Sequence, residues 1–121
     1  MTERGEPRLT EAAFHILLAL SGRDRHGYEI MQVVEAEQGA GAVLGTTTLY
    51  RTLRGLLRDG LVEETDERPA PGHDDQRRRY YRLTPAGRAA ARTEVERLRR
   101  LLAAAEASSL LRRRTPGLAS G

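Results

Sequence analysis

Three consecutive threonines, Thr46 to Thr48, open a stretch in which Thr47, Tyr50, Arg51, Arg54 and Arg58 fall at i, i+3, i+4, i+7 and i+11. On a helix that spacing gathers hydroxyl, phenol and guanidinium groups on one face. Their chemistry is recognition rather than bond-making. Arg51 and Arg54, one turn into the helix, have the reach for guanine O6 and N7, a bidentate pairing worth about 1–3 kcal/mol of discrimination. The threonines are short donors that fit a crowded groove or cap the helix. The first backbone N–H groups and the positive end of the helix dipole suit a phosphate. Tyr50 is expected to donate its hydroxyl to a phosphate, and Tyr28 to do the same from the preceding helix. Arg58 is evenly balanced between such a contact and simple complementation of the helix dipole. A solvated helix face is the plain alternative for the whole stripe.

The elements that must position these groups follow from periodicity. On the opposite side of the same helix, expected between Thr46 and Asp59, Leu49, Leu53, Leu56 and Leu57 sit at i, i+4, i+7 and i+8 and must face a core. Gly60 follows as a helix-ending residue. Upstream, Leu9, Ala13, Ile16, Leu17 and Leu20 form one face of a first helix, with Thr10 as N-cap and Ser21-Gly22 as its end. Phe14 and Leu18 widen its apolar surface to a second side. A second helix is expected from about His26 to Gln38, with Asp24 as N-cap and Gly27, Ile30, Met31 and Val34 inward; the glycines between Gly39 and Gly45 break it.

Downstream, Leu61 to Thr65 and Arg78 to Leu83 read as strands, with Tyr81 and Leu83 on one face. Asp66 to Arg77 between them is too long for a tight hairpin and reads as an extended loop. Thr84-Pro85 then opens a long helix running to about Arg112. Its residues Ala91, Val95, Leu98, Leu102 and Ala105 alternate spacings of four and three, the seam of a short coiled coil. Nearly thirty residues at 1.5 Å each give about 40 Å, an overhang for so small a domain that favours a second copy of the chain as partner.

Composition narrows the classes. The chain has 121 residues, 39% hydrophobic and 31% charged, with 4% aromatics and no Trp, which bounds it to one helical domain with a modest aliphatic core. It has no Cys, so disulfides and thiolate metal sites are excluded. The net charge is +3 and every one of the 20 basic residues is Arg; so marked a bias fits a GC-rich genome as well as it fits a phosphate-binding role. His15, His26 and His73 share no metal-ligand spacing, so no metal is expected. Gly39 to Gly45 lacks the Gly-Lys-Ser/Thr ending of a phosphate loop. With no acid–base constellation visible, an enzyme is not expected, and no cofactor is. No run is long and apolar enough for a membrane span, and a cytoplasmic location is the default.

Helix, helix, glycine-rich turn, helix, two strands and helix is the order of a winged helix-turn-helix. The expected fold is therefore mostly α with a small β-hairpin: a winged helix-turn-helix domain over 9–84, a long C-terminal helix over 85–114, and flexible tails at 1–8 and 115–121. The chain resembles the PadR-type transcriptional regulators in four segments. They are His26-Gly27-Tyr28-Glu29-Ile30, Thr48-Leu49-Tyr50-Arg51, Asp59-Gly60-Leu61-Val62 and Tyr80-Tyr81-Arg82-Leu83-Thr84-Pro85-Ala86-Gly87. Their order and spacing, over roughly Leu9 to Leu102, are the specific feature.

The resemblance is to the shorter, bacterial subgroup with a single C-terminal dimerisation helix. It implies a sequence-specific repressor that binds double-stranded DNA as a homodimer, with palindromic half-sites about 34 Å apart. It favours recognition over a solvated face for the arginine stripe, and it implies that the wing arginines Arg77, Arg78 and Arg79, two of which should point outward, reach the minor groove or its flanking phosphates. An edge strand guarded by charge is the alternative there. Phe14, Leu18, Val95, Leu98, Leu102 and Ala105 become the expected dimer interface. Many relatives carry Pro-Gly where this chain has Thr46-Thr47. A small-molecule effector is compatible with the resemblance, although the absence of Trp removes the mode in which tryptophans clasp a flat aromatic. A winged-helix module that binds protein instead of DNA is the competing reading; it would need an apolar face on the third helix.

Overall fold

The computed structural model describes residues 9–38, 44–65, 68–70 and 73–111, with the side chains of Gln38, 68–70 and 73–78 outside the description. The expected tails, Arg112 to Arg114 and most of the glycine-rich turn lie outside the described residues. Helix α1 spans Glu11–Leu20, and Thr10 caps it by accepting from the Ala13 N–H at 3.1 Å. At its other end the Arg25 guanidinium donates to the Ala19 carbonyl at 2.7 Å. Strand β1, Arg25–His26, leads directly into helix α2, Gly27–Gln38. Its N-cap is His26 rather than Asp24: the Glu29 N–H donates to His26 Nδ1 at 3.3 Å and the His26 N–H donates to Glu29 Oε1 at 3.2 Å. An imidazole thus fills the place a short oxygen acceptor usually takes in a reciprocal cap.

Helix α3, Thr46–Arg58, buries Leu49, Leu53 and Leu56 as its spacing requires. They join Ile16 and Leu17 of α1 and Ile30 and Val34 of α2 in a single aliphatic core, each side chain contributing roughly 1.5–3 kcal/mol by burial. The helix ends in a paired turn. Gly60, at φ +76°, donates to the Leu57 carbonyl at 3.1 Å and Leu61 to that of Leu56 at 2.9 Å. Only glycine enters that left-handed region without a steric cost of about 1–2 kcal/mol.

Strands β2 (Val62–Glu64), β3 (Arg68–Ala70), β4 (His73–Arg78) and β5 (Tyr80–Leu83) follow. The three-stranded antiparallel sheet has the order β1-β5-β2, with Arg25 opposite Tyr81 and Val62 opposite Leu83. Two features differ from expectation. Strand β1 is too short to show a period of two, and the stretch expected as loop is itself a hairpin, β3 against β4, with a register shift between Pro69 and Ala70. The wing therefore has a base in the main sheet and a separate two-stranded tip.

Helix α4 spans Pro85–Ala107, 23 residues, and ends at Ser108, whose hydroxyl donates to the Ala105 carbonyl at 2.6 Å; it is shorter than the expected run to Arg112. Thr84 does three things at its start. Its hydroxyl accepts from the Gly87 N–H at 2.9 Å and donates to the Gly60 carbonyl at 2.7 Å, and its backbone N–H donates to the Leu61 carbonyl at 3.2 Å. Gly87 lies so close to the Leu61 backbone that a Cβ there would overlap the Leu61 carbonyl oxygen and come within 2.9 Å of its carbon. Backbone cannot yield as a side chain can. Gly87→Ala should therefore destabilise the fold by roughly 2–4 kcal/mol in urea denaturation. Gly22→Ala, which opens onto empty space, should stay within about 1 kcal/mol of the parent.

Candidate nucleic-acid interface

The residues expected to read a partner converge on α3 and its surroundings. Thr46, Thr47 and Thr48 are all exposed in the first turn. None of them is the cap. Gly45 holds that place and offers no side-chain hydrogen bond, so the first N–H groups of α3 have no side-chain acceptor in front of them among the described residues. Thr46 turns back instead, its hydroxyl 4.0 Å from Met31 Sδ. Arg51 and Arg54 are exposed and form no ion pair among the described residues, whereas Arg58 meets Asp59 at 3.4 Å. Arg58 therefore serves the end of the helix.

The stripe is not uniform. Arg51, with Thr52, Gly55 and Asp59, also lines one wall of a cavity of about 790 Å³ between α1, α3 and the start of α4, whose opposite walls are Leu9, Ala13, Leu61, Ala86, Ala89 and Ala90. Tyr50 leans the other way. Its phenol lies over Gly27, where a Cβ would overlap the hydroxyl and stand 3.0 Å from Cζ. Tyr28 is 56% exposed and stacks on His26 at 6.5 Å with the rings 13° apart, while Tyr80 meets the same imidazole edge-on at 5.3 Å. That aromatic ladder ties the start of α2 to β5; sequence spacing alone gave no sign of it.

The wing base is held by ion pairs. Arg82 grips Asp24 through two hydrogen bonds, 3.1 and 3.4 Å, and reaches Glu63 at 3.8 Å. Arg79 pairs with Glu64 at 3.2 Å, so its charge is already answered within the sheet. Arg77 stands opposite Pro69 in the tip hairpin and Arg78 opposite Arg68. Of the residues expected at a dimer interface, Phe14, Leu18, Val95 and Ala105 are half-buried, and Leu98 and Leu102 are exposed. Leu101, 53% exposed beside them, was not anticipated from the seam. Among the described residues no cluster of three metal-ligating side chains occurs, and no helix is long and apolar enough to cross a membrane.

Residues 16–93 match the family described as transcriptional regulator PadR-like. The chain belongs to the PadR-like family. That span runs from the core of α1 through the whole wing to the first turns of α4. A transcriptional regulator from Clostridium thermocellum, Cth-833, is 29% identical and superposes with a TM-score of 0.63, covering 72% of this chain and 81% of that one. A PadR family regulator from hypervirulent Clostridium difficile is 21% identical, with a TM-score of 0.67 over 80% of this chain and 96% of that one. Bacillus subtilis PadR, solved in complex with operator DNA, is 20% identical with a TM-score of 0.60, covering 69% of this chain and 45% of that one. At those identities the last two establish the fold alone. No curated protein matches the chain. For this PadR-like chain the expected mostly helical winged-helix fold with its long C-terminal helix is borne out.

Beneath the interface, the Tyr81 phenol is pushed above its ordinary value of 10.0 by burial, then by the nearby Glu64 carboxylate and Tyr50, with Arg79 opposing. A buried phenol that resists ionising while the unfolded chain ionises freely contributes stability below the unfolded value and loses it as pH rises further. Folding free energy should therefore hold up to about pH 10 and then fall. Tyr81→Phe should flatten that alkaline limb in denaturation curves recorded across the range.

Proposed function

We propose that this PadR-like protein is a sequence-specific DNA-binding repressor that acts as a homodimer on a palindromic operator, reading the major groove with α3. The observation that carries the reading is the exposed face of α3. An uncapped first turn with three exposed threonines stands next to Arg51 and Arg54, two cations with no acidic partner among the described residues. Free N–H groups and unneutralised guanidiniums on one convex surface match phosphate and guanine edges. They do not match an apolar protein partner. Arg54 faces outward as the leading base contact, and Arg51 stands between the groove and the cavity behind it. Tyr28 is assigned a contact to the DNA backbone, and the wing residues Arg77 and Arg78 are assigned contacts to the minor groove or its flanking phosphates.

The division of labour follows the chain. Residues 9–84 form the reading domain and α4 the dimer helix. Leu98, Leu101 and Leu102 leave an apolar strip on the distal half of α4. The alanine-walled cavity between α1 and the proximal half offers a receptor for the same strip of a second copy. Two antiparallel α4 helices would then cover each other's leucines reciprocally, as a twofold interface requires.

Two measurements test the reading. In a salt titration on a duplex selected by the protein from a random pool, affinity should fall steeply as counterions are released. Arg54→Ala should cost roughly tenfold on the selected duplex and much less on a scrambled one. Binding that is weak, equal for every sequence and indifferent to Arg54→Ala would overturn it and turn attention to a protein partner. Separately, Leu98→Arg with Leu102→Arg should shift the protein to a monomer in sedimentation velocity and weaken operator binding by more than about tenfold, since one half-site is lost. A variant that still sediments as a dimer would move the interface off α4.

A further inference from the structure

Gly27 is the first residue of α2, and its backbone makes no demand for glycine: among the described residues only Gly60 has a left-handed φ. What excludes a side chain there is Tyr50, whose hydroxyl, Cζ and Cε1 would all crowd a Cβ, the last two at 3.0 and 3.3 Å. Tyr50 is 43% exposed and forms no hydrogen bond among the described residues. Its ring nonetheless crosses from α3 and brings its hydroxyl end against the bare start of α2. Glycine at 27 and a long planar side chain at 50 are complementary in size.

The mechanical setting makes that contact matter. Leu49, Leu53 and Leu56 bury within an arc of about 60° of α3, and Leu57 packs partly against the same core. A helix held over so narrow a stripe can still roll about it. Tyr50, one residue on from Leu49 and so about 100° further round the helix, adds a contact to a second helix at the margin of that stripe. A roll of about 10° would carry a guanidinium lying about 6 Å from the helix axis through about 1 Å, more than a preorganised contact tolerates.

We propose that Tyr50 is a positioning residue: its ring, seated on the bare backbone of Gly27, sets the roll of α3 and thereby the aim of Arg54 and the threonines. This replaces the phosphate-donor role its sequence position implied, and it rests on the DNA-binding reading above. The contact governs selectivity more than stability. The ring is the far end of a flexible, half-exposed side chain, so a Cβ at position 27 displaces the ring and leaves the backbone in place.

The test uses the duplex selected by the wild-type protein, a scrambled duplex, and three variants: Gly27→Ala, Tyr50→Phe and the two together. Tyr50→Phe keeps the ring and should hold affinity within about twofold and leave the salt slope unchanged. Gly27→Ala should lower the ratio of selected to scrambled affinity by about tenfold, with a melting temperature within a few degrees of the parent because alanine gains helix propensity. The double variant, rid of the hydroxyl overlap although Cζ stays 3.0 Å from the new Cβ, should recover part of the lost selectivity, a non-additivity that a general loss of fold would not produce. Selectivity in Gly27→Ala equal to the parent, or a double variant no better than Gly27→Ala, overturns the proposal. So does a uniform loss of binding in Tyr50→Phe, which would restore the hydroxyl as a phosphate donor. If the wild type selects no duplex at all, the DNA-binding reading has failed, and the positioning proposal with it.

Discussion

The backbone at the start of α4 rests directly on the backbone that leaves α3, and the remaining geometry is arranged around that contact. Gly87 has no room for a Cβ against Leu61, and Thr84 ties the junction with bonds to Gly60, Leu61 and Gly87. Two motifs that look separate in the sequence, Asp59-Gly60-Leu61-Val62 and Leu83-Thr84-Pro85-Ala86-Gly87, are the two halves of one joint. The left-handed turn at Gly60 is what swings Leu61 under α4, and the proline at the first position of α4 fixes its departure angle. Because the joint is made of main chain, it transmits orientation without the slack of a side-chain contact. The start of α4 and the end of α3 are thus joined by main-chain contact.

Around that joint α3 divides its surroundings into sectors. The leucines face the core, Tyr50 leans to α2, and Arg51 with Thr52 borders the cavity beside α1 and α4. Thr46 to Thr48 and Arg54 remain for solvent or a partner. A stripe that periodicity draws as one polar face is therefore three different environments. This matters for any reading of Arg51. A change there touches both the exposed surface and the wall of the cavity, whereas Arg54 has only one side to answer for.

Much of this was legible in the sequence wherever a single residue type has a single physical use. Leu49, Leu53, Leu56 and Leu57 announce a buried face, Thr10 and Thr84 announce caps, and Gly60 announces the end of α3; each rests on local chemistry that holds in almost any context. The parts not legible depend on contacts between residues far apart in the chain. Asp24 has the composition of a cap, but Arg82, 58 residues away, takes its carboxylate, and His26 caps α2 in its place. Strand β1 exists only because β5 pairs with it, and two residues carry no period. The hairpin at the wing tip sits in a stretch of prolines, glycines and charges that reads as loop on composition. The residues of the candidate interface were found by helical spacing, while their division into contact, positioning and cavity-lining roles required the packing of Gly27 and Ala86.

The arginines complete this picture, because several of them are already engaged in structure. Arg25 closes the end of α1, Arg82 bolts β5 to the turn before β1, Arg79 answers Glu64, Arg58 answers Asp59, and Arg97 pairs with the buried Glu94. The exposed ion pairs among these contribute about 0–1 kcal/mol each, so their effect is to orient elements more than to stabilise them. A net charge of +3 is consequently a poor guide to where an anion would go. Arg51 and Arg54 on α3, like Arg88, Arg92 and Arg100 on α4, have no carboxylate partner among the described residues. On α3 the unpaired Arg54 shares an exposed face with the first turn that no side chain caps, so that guanidinium and backbone N–H donors lie together there, an arrangement α4, capped by Thr84, lacks.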